Sequence, residues 1–175
     1  NCDRRIKSSK EKIMTTKPDV LLFMTGGTFD KEYDEINGRL YFKDSHVSEM
    51  LKLGRCLLDV QTRTLMMVDS LEMTAEDRES IIKQCRTSDF SRIVITHGTD
   101  TMSETARVLG EANISGKTIV LTGAMVPYKF GSSDGLFNLG AALAFVQTLE
   151  SGVYVVMNGR AWPWSNVKKN RRTGE

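Results

Sequence analysis

The chain first becomes apolar in the segment Val20-Leu21-Leu22-Phe23-Met24, which ends at Thr25-Gly26-Gly27-Thr28. A short apolar run with β-branched and aromatic residues, stopped by glycine, is typical of a strand that is buried on both faces. Two glycines let the backbone come close to a ligand and present N–H groups to it. The segment therefore predicts a buried strand that leads into a turn suited to ligand binding.

Three later segments repeat this pattern. Residues 92–96, 118–121 and 152–157 are short runs dominated by apolar residues, and each ends at a polar turn that contains glycine. We predict four buried strands in total. If the strands run parallel, their carboxyl ends meet at one edge of the sheet, where ligands bind in proteins of this class.

Helical patterns lie between the predicted strands. A segment opens at Thr74, and another at Thr101, where T-M-S-E has the form of a capping box. A third starts at Asp134, and its apolar residues recur at helical spacing: Leu136, Leu139, Leu143, Val146 and Leu149. Alternating strands and helices predict an α/β fold, a three-layer α/β/α sandwich around a mostly parallel sheet.

Composition limits the class of protein. The 175 residues are 40% hydrophobic and 26% charged, which indicates one globular domain rather than a disordered or collagen-like chain. Residues 1–17 hold six basic and two acidic side chains. Residues 168–175 hold four basic side chains and one acidic side chain. We predict a disordered or added basic tail over 1–17 and a folded domain over 18–175.

The charge and cysteine patterns also exclude some partners. A nucleic-acid binder is expected to carry its basic residues on a folded face, whereas here they cluster at the two ends, so no nucleic acid is expected. No apolar run approaches the roughly 18 residues of a membrane span, and no membrane partner is expected. Cys2, Cys56 and Cys85 are odd in number and lack C-x-x-C spacing. This favours a reducing, cytoplasmic location.

The first two turns have simple structural interpretations as well as chemical ones. Thr25-Gly26-Gly27-Thr28 lacks the spacing of a dinucleotide fingerprint or a P-loop, and it could be only a strand-end turn. The second turn, H-G-T-D-T-M over residues 97–102, could be only a helix cap. Capping would account for Thr101 but leaves Thr99 and Asp100 without a function.

Together the turns resemble a known family. T-G-G-T at 25–28 and H-G-T-D-T-M at 97–102 are similar to the two signature motifs of the L-asparaginase family. The segments V-D-S-L-E-M-T (68–74), L-T-G-A-M-V-P (121–127) and S-D-G-L-F-N-L (133–139) resemble further family motifs in the family's order. The resemblance covers roughly residues 20–170. It implies the fold of the family's N-terminal catalytic domain and hydrolysis of a side-chain amide to an acid and ammonia.

The resemblance also implies catalytic roles. Thr28 corresponds to the nucleophile that attacks the amide carbonyl. Thr99, Asp100 and a lysine correspond to a second relay of hydroxyl, carboxylate and amine. The family's lysine lies in a segment similar to Asn-Val-Lys-Lys at 166–169, which selects Lys169 over Lys168. Which threonine attacks first stays open at this point.

Substrate contacts are implied in the same way. Ser70, with backbone from the adjacent Leu71, would hold the substrate's α-carboxylate, and Asp100 would pair with its α-ammonium. Gly27 and Thr99 would complete the binding site. No cofactor and no metal are expected. His97 and His46 are interpreted as structural, because no His, Cys or carboxylate spacing indicates a metal site.

The chain departs from the family pattern in its lid and in its substrate loop. The family has a mobile lid with a tyrosine near the nucleophile, and Tyr41 fits that spacing better than Tyr33. Asn37-Gly38 lies between alternating residues and predicts a hairpin here. Leu71 stands where the family often has a polar residue, so other amides could be accepted.

The third departure is length, because the family usually adds a smaller C-terminal domain whose copy on a neighbouring subunit closes the site. We therefore expect a homo-oligomer. The leading hypothesis is an asparaginase-like amidohydrolase that acts through a Thr acyl-enzyme on L-asparagine or a related small amide. The alternative is a non-catalytic sensor that binds an amino acid or amide in the same pocket.

Overall fold

The computed structural model describes residues 19–170 and 172–173. The basic tail predicted over 1–17 lies outside the described residues. The described residues form the following strands and helices: β1 (Val20–Met24), β2 (Lys31–Asp34), β3 (Arg39–Phe42), α1 (Val47–Leu53), β4 (Val60–Thr64), α2 (Ala75–Thr87), β5 (Arg92–Thr96), α3 (Met102–Glu111), β6 (Thr118–Thr122), α4 (Gly135–Thr148), β7 (Gly152–Met157) and β8 (Arg160–Pro163).

Six of the strands form one sheet in the order β4-β1-β5-β6-β7-β8. The first five are parallel, and β8 runs antiparallel to β7. The four predicted strands are β1, β5, β6 and β7, which form the centre of the sheet. The predicted parallel α/β fold is therefore confirmed.

The two outer strands were not predicted from the sequence. β4 reads V-Q-T-R-T and is largely exposed, so it lacks the apolar run that marks a buried strand. Edge strands commonly carry charged residues or proline, which hinder pairing with another chain. Arg63 in β4 and Pro163 in β8 fit that description.

Side chains of the central strands alternate between the two faces of the sheet, and this divides the core into two layers. One layer packs α2 and α3 against side chains that include Leu21, Ile93 and Ile119. The other packs α1 and α4 against the intervening residues, including Leu22 and Val94. Because successive side chains of a strand point to opposite faces, one buried strand serves both layers. This is the predicted three-layer sandwich.

The predicted hairpin is also present, as a separate two-stranded sheet of β2 and β3. Gly38 has a φ of +63°, in the left-handed region that glycine favours. The Asp34 carboxylate accepts hydrogen bonds from the backbone N–H groups of Ile36 and Asn37, at 3.0 and 3.1 Å. These bonds close the turn between the two strands.

Candidate active site

The turns after β1 and β5 are in direct contact. Gly26 and Gly27 have φ values of +95° and +89°, and a Cβ on Gly27 would collide with the backbone of Gly98. A Cβ on Gly98 would in turn lie 2.5 Å from the Ser70 hydroxyl oxygen. Glycine at both positions thus lets three turns stack at the carboxyl edge of the sheet. Thr28, half-buried, begins the 3-10 turn that follows directly.

The structure brings Lys169 to Thr99 and Asp100. Lys169 Nζ donates hydrogen bonds of 2.8 Å to Thr99 Oγ1 and to Asp100 Oδ1. The Lys169 side chain is 18% exposed and the Asp100 side chain 44%, so the ammonium is largely shielded from water while the carboxylate is not. Lys169 therefore forms one hydrogen-bonded group, here named the lysine relay, with two candidate catalytic residues that lie 70 and 69 positions earlier in the sequence.

The Thr99 hydroxyl has a second neighbour, since it donates to Met125 Sδ at 3.4 Å. Met125 follows β6 and is held by Asp134, whose carboxylate accepts from the backbone N–H of Met125 and Val126 at 3.0 Å. Asn138 adds a bond of 2.9 Å to the same carboxylate. The sequence marked Asp134 as the start of a helix and as part of a family-like motif, with no role of its own. Its role in holding the turn beside Thr99 is a tertiary one.

Ser70 is almost fully buried, and its carbonyl accepts a 2.7 Å hydrogen bond from the Thr101 hydroxyl. The capping box predicted at Thr101 and Glu104 is therefore wrong. Thr101 precedes α3 but makes no side-chain cap bond, because its hydroxyl is used by the Ser70 loop. A capping box does form one helix earlier, between Thr74 and Asp77.

Leu71 lies on the surface with 66% of its area exposed. Its backbone N–H donates to Asp69 Oδ1 at 3.0 Å, and the other oxygen of Asp69 pairs with the Lys31 ammonium. The hydrogen bond from Lys31 holds the pKa of the Asp69 carboxyl below its ordinary value. This ion pair joins the segment after Thr28 to the Ser70 loop, and no motif in the sequence marks it.

Tyr41 and Tyr33 lie on the hairpin. The Tyr41 hydroxyl donates to Glu32 Oε2 at 3.3 Å, so its hydrogen bond is made within the hairpin rather than to Thr28 or Thr99. Tyr33 is more than half exposed. Neither tyrosine is joined to the lysine relay by a hydrogen bond found among the described residues.

Both histidines are buried. His97 Nδ1 donates to the Gly98 carbonyl and Nε2 accepts from the Thr105 hydroxyl, each at 2.8 Å. Burial lowers the pKa of His97 to about 4, so the ring is neutral at neutral pH. Arg78 extends this network by donating to Thr105 Oγ1 and Thr101 Oγ1, at 3.1 and 3.0 Å. Arg78 thus braces the turn that carries Thr99.

His46 is adjacent to a buried carboxyl group. Its backbone N–H donates to Asp30 Oδ1 at 2.9 Å. Asp30 has no exposed area, and burial raises the pKa of its carboxyl group. Because Asp30 closes the 3-10 turn that Thr28 opens, this bond ties that turn to the start of α1. The contact fits the structural interpretation of His46.

A pocket of about 390 Å³ adjoins the lysine relay. Thr99 and Lys169 form part of its wall, beside a polar group that includes Ser103 and Asn166. Asn158 and Lys168 also line it, and its apolar wall residues are Met102, Met125, Val155, Met157, Trp162 and Val167. The relay therefore faces a cavity with far more apolar than polar surface.

The sequence and the fold agree on a family. Residues 19–174 match the family described as Asparaginase, N-terminal. The chain belongs to the asparaginase family. None of the described helices of this asparaginase-family chain is long and apolar enough to cross a membrane.

Individual relatives show the extent of the match. The chain is 30% identical over 169 residues to a probable periplasmic L-asparaginase of Haemophilus influenzae, covering 89% of this chain and 47% of that protein. It is 30% identical to L-asparaginase 2 of Escherichia coli, with the same two coverages. This asparaginase-family chain therefore spans about half the length of the curated relatives that it matches.

Solved structures give the same result. A probable cytoplasmic L-asparaginase of Campylobacter jejuni superposes with a TM-score of 0.76 and 31% identity, covering 87% of this chain and 50% of that one. The thermostable L-asparaginase of Thermococcus kodakarensis gives a TM-score of 0.73 at 28% identity, covering 86% and 47%. The asparaginase fold is thus shown over most of the chain.

Proposed function

We propose that this chain is an amidohydrolase that releases ammonia from L-asparagine or a related small amide through a Thr acyl-enzyme. The observation that carries the proposal is the bonding of Lys169 to both Thr99 and Asp100, at the edge where the Thr28 turn contacts the Thr99 turn. The names of the relatives, which are L-asparaginases, support the same reaction class.

In the proposed reaction, Thr28 Oγ attacks the amide carbonyl carbon and loses its proton. The carbon–nitrogen bond then breaks as the nitrogen takes up that proton and leaves as ammonia, and water hydrolyses the resulting ester to the acid and the free Thr28 hydroxyl. A threonine hydroxyl is a weak nucleophile, so a neighbouring base must accept its proton as it attacks. Backbone N–H groups of the glycine turn would stabilise the negative charge that develops on the carbonyl oxygen.

The relay of Lys169, Thr99 and Asp100 would serve proton transfer in one of the two half-reactions. Lys169 can take a proton from Thr99 only while its amine is neutral, and Asp100 is placed to stabilise the charged amine that results. Ser70, Leu71, Gly27 and Asp100 would position the head of the substrate. The Leu71 N–H already donates to the Asp69 carboxylate. In this proposal the substrate's carboxylate would share that N–H with Asp69 or replace Asp69 as its acceptor.

Tyr41 would act as the lid tyrosine after a movement of the hairpin, with Tyr33 as the alternative. Such a movement would break the 3.3 Å bond from Tyr41 to Glu32. A two-stranded hairpin is marginally stable by itself, which supports mobility of this element.

Exposed side chains and free cysteines support proposals about the oligomeric state and the cellular location. A homo-oligomer would supply surface that covers the carboxyl edge of the sheet, where Leu71 and Met125 are exposed. A reducing, cytoplasmic location is supported by the free thiols of Cys56 and Cys85. Burial raises the pKa of Cys85 to about 12, so this thiol is unreactive.

The test is ammonia release from asparagine, glutamine and simple amides by wild type, Thr28→Ala, Thr99→Ala and Lys169→Met. We expect a loss of at least about 100-fold for each variant, because each removes a proton-transfer group or the nucleophile. Lys83→Met is the control, since it removes an exposed lysine of α2 by the same substitution. Trapping of an acyl-enzyme on wild type but not on Thr28→Ala would identify the nucleophile.

Equal turnover by wild type and Thr28→Ala would exclude Thr28 as the nucleophile. A rise in melting temperature with asparagine, without ammonia release, would favour the sensor instead, because a ligand that binds only the folded state stabilises it.

A further inference from the structure

A buried histidine lies between the body of the fold and the hairpin of β2 and β3. The His46 side chain is 7% exposed, and its Nε2 lies 3.3 Å from Glu32 Oε1 on β2. This Nε2 has no hydrogen-bond partner among the described residues, so the two groups are close but poorly aligned. The attraction therefore depends on charge, because an imidazolium is drawn to the carboxylate whereas a neutral ring gains little from it.

Glu32 also holds Tyr41, the candidate lid tyrosine. Its other oxygen, Oε2, accepts from the Tyr41 hydroxyl at 3.3 Å, and the two residues are directly paired across the hairpin. Lys31, the neighbouring residue of β2, points to the opposite face and pairs with Asp69. While Glu32 stays in place, Tyr41 is therefore kept on the His46 face of the hairpin, opposite to the face that Lys31 fastens.

Several charged or titratable groups surround His46. They come from the elements packed against it and from its own helix: Asp30 in the turn that follows β1, Glu32 on β2, Tyr128 and Lys129 in the 3-10 turn after β6, and Glu49 on α1. Lys129 and Glu49 pair with each other at 3.1 Å, so their charges largely offset. The Asp30 carboxylate accepts from the backbone N–H of His46. Among the described residues, only Glu32 comes within ion-pair distance of the ring.

We propose that His46 is a pH-dependent positioning residue, whose protonated ring fastens Glu32 and Tyr41 to the body of the fold and whose neutral ring releases them. Histidine suits this role, because its charge changes between pH 5 and 8. The pair of Lys31 with Asp69 does not switch in this range, since the lowered pKa of Asp69 keeps its carboxylate charged. The inference rests on the proposed function for the role of Tyr41, and it goes beyond that function by assigning control of this residue to His46.

Hydrogen exchange of the full chain tests the fastening without any need for activity. Protection factors of the β2 and β3 amides, corrected for the intrinsic effect of pH on exchange, are compared at pH 5.5 and pH 8. We expect about fivefold greater protection at pH 5.5, the upper end of the range for an exposed ion pair, because this pair is less exposed. The midpoint of this change should coincide with the midpoint of the His46 ring titration, followed by NMR.

Two variants remove the attraction from opposite sides. His46→Gln is uncharged and keeps the backbone hydrogen bond to Asp30. Glu32→Gln keeps an acceptor for the Tyr41 hydroxyl, and it remains available should His46→Gln fail to fold. Both should lose the pH dependence of protection. Glu35→Gln is the matched control, because Glu35 is exposed in the turn of the same hairpin, and it should keep that dependence.

Ammonia release from asparagine adds a functional measurement. Between pH 5.5 and pH 8, kcat/KM should rise about fivefold more in wild type than in His46→Gln, because only wild type also releases its hairpin over this range. The lysine relay is the same in both proteins, so its own titration cancels in the comparison. A rise of equal size in both would overturn the positioning role of His46.

The outcomes separate this inference from the proposed function. Protection that depends on pH and loses this dependence in Glu32→Gln, without ammonia release, would support the fastening and contradict the enzyme. Ammonia release with equal protection at both pH values would do the reverse. The inference is also overturned if Glu32→Gln keeps the pH dependence, because the titrating group would then be Asp30, whose pKa is raised by burial, rather than the pair of His46 with Glu32.

Discussion

Removing the ammonium of Lys31 tests how the hairpin is fastened to the Ser70 loop. In Lys31→Met the aliphatic stem stays and the ion pair with Asp69 is lost. The two side chains are 19% and 29% exposed, so the pair lies between a surface ion pair, below about 1 kcal/mol, and a buried charged hydrogen bond of about 1.5–3 kcal/mol. We expect the free energy of unfolding to fall by about 1–2 kcal/mol at pH 7.

The contribution of the Lys31–Asp69 ion pair to folding stability should depend on pH. Lys31 holds the pKa of folded Asp69 below the ordinary value of 3.8. A depressed pKa stabilises the folded state above the unfolded pKa, and this stabilisation is lost as the pH falls through the folded pKa. The difference between wild type and Lys31→Met should therefore be full at pH 6–7 and shrink below pH 4.

Urea unfolding followed by circular dichroism measures this energy, in a double-mutant cycle with Asp69→Asn. Lys43→Met is the control, because Lys43 is an exposed lysine just past β3, and it should change stability by less than about 0.5 kcal/mol. Hydrogen exchange of the β2 and β3 amides should speed up in Lys31→Met and not in the Lys43→Met control. A Lys31→Met effect that is unchanged in the Asp69→Asn background, or that is as large at pH 3 as at pH 7, would refute the reasoning.

Three further expectations concern single sites. The His97 ring should titrate near pH 4 by NMR, and because its folded pKa is lowered, its burial should destabilise the fold increasingly as the pH falls from 6.5 towards 4. Gly110→Ala should cost about 1–3 kcal/mol in thermal unfolding, since its Cβ would collide with the Trp164 indole, whereas Gly140→Ala in an open position should be neutral or stabilising. Thr74→Ala should cost about 1 kcal/mol in urea unfolding by removing the capping box, and no change would argue against that cap.

The central strands and the helices could be predicted because their signals are local. Val20–Met24 is apolar throughout because both faces of that strand are covered, and this leaves a continuous run in the sequence. Asn37-Gly38 marks a turn for a similarly local reason, the left-handed conformation at Gly38. β4 was not predicted, because an edge strand that faces water needs no continuous apolar run.

The capping box shows where local patterns mislead. T-x-x-E at Thr101 and T-x-x-D at Thr74 are nearly equivalent as sequence, yet only Thr74 caps its helix. At Thr101 the hydroxyl has a competing acceptor, the Ser70 carbonyl, which lies 31 residues away in the chain. Only packing reveals such a competitor.

The residues alone therefore determined the strand–helix alternation, the glycine turns and the edge of the sheet at which they meet, because each depends on neighbours within a few positions. Tertiary structure decided which side chains converge there. Lys169 reaches Thr99 across 70 residues, and Lys31 reaches Asp69 across 38. It also decided the walls of the apolar pocket. These contacts depend on strand order and on the paths of loops, which bring distant side chains together without leaving a periodic signal in the sequence.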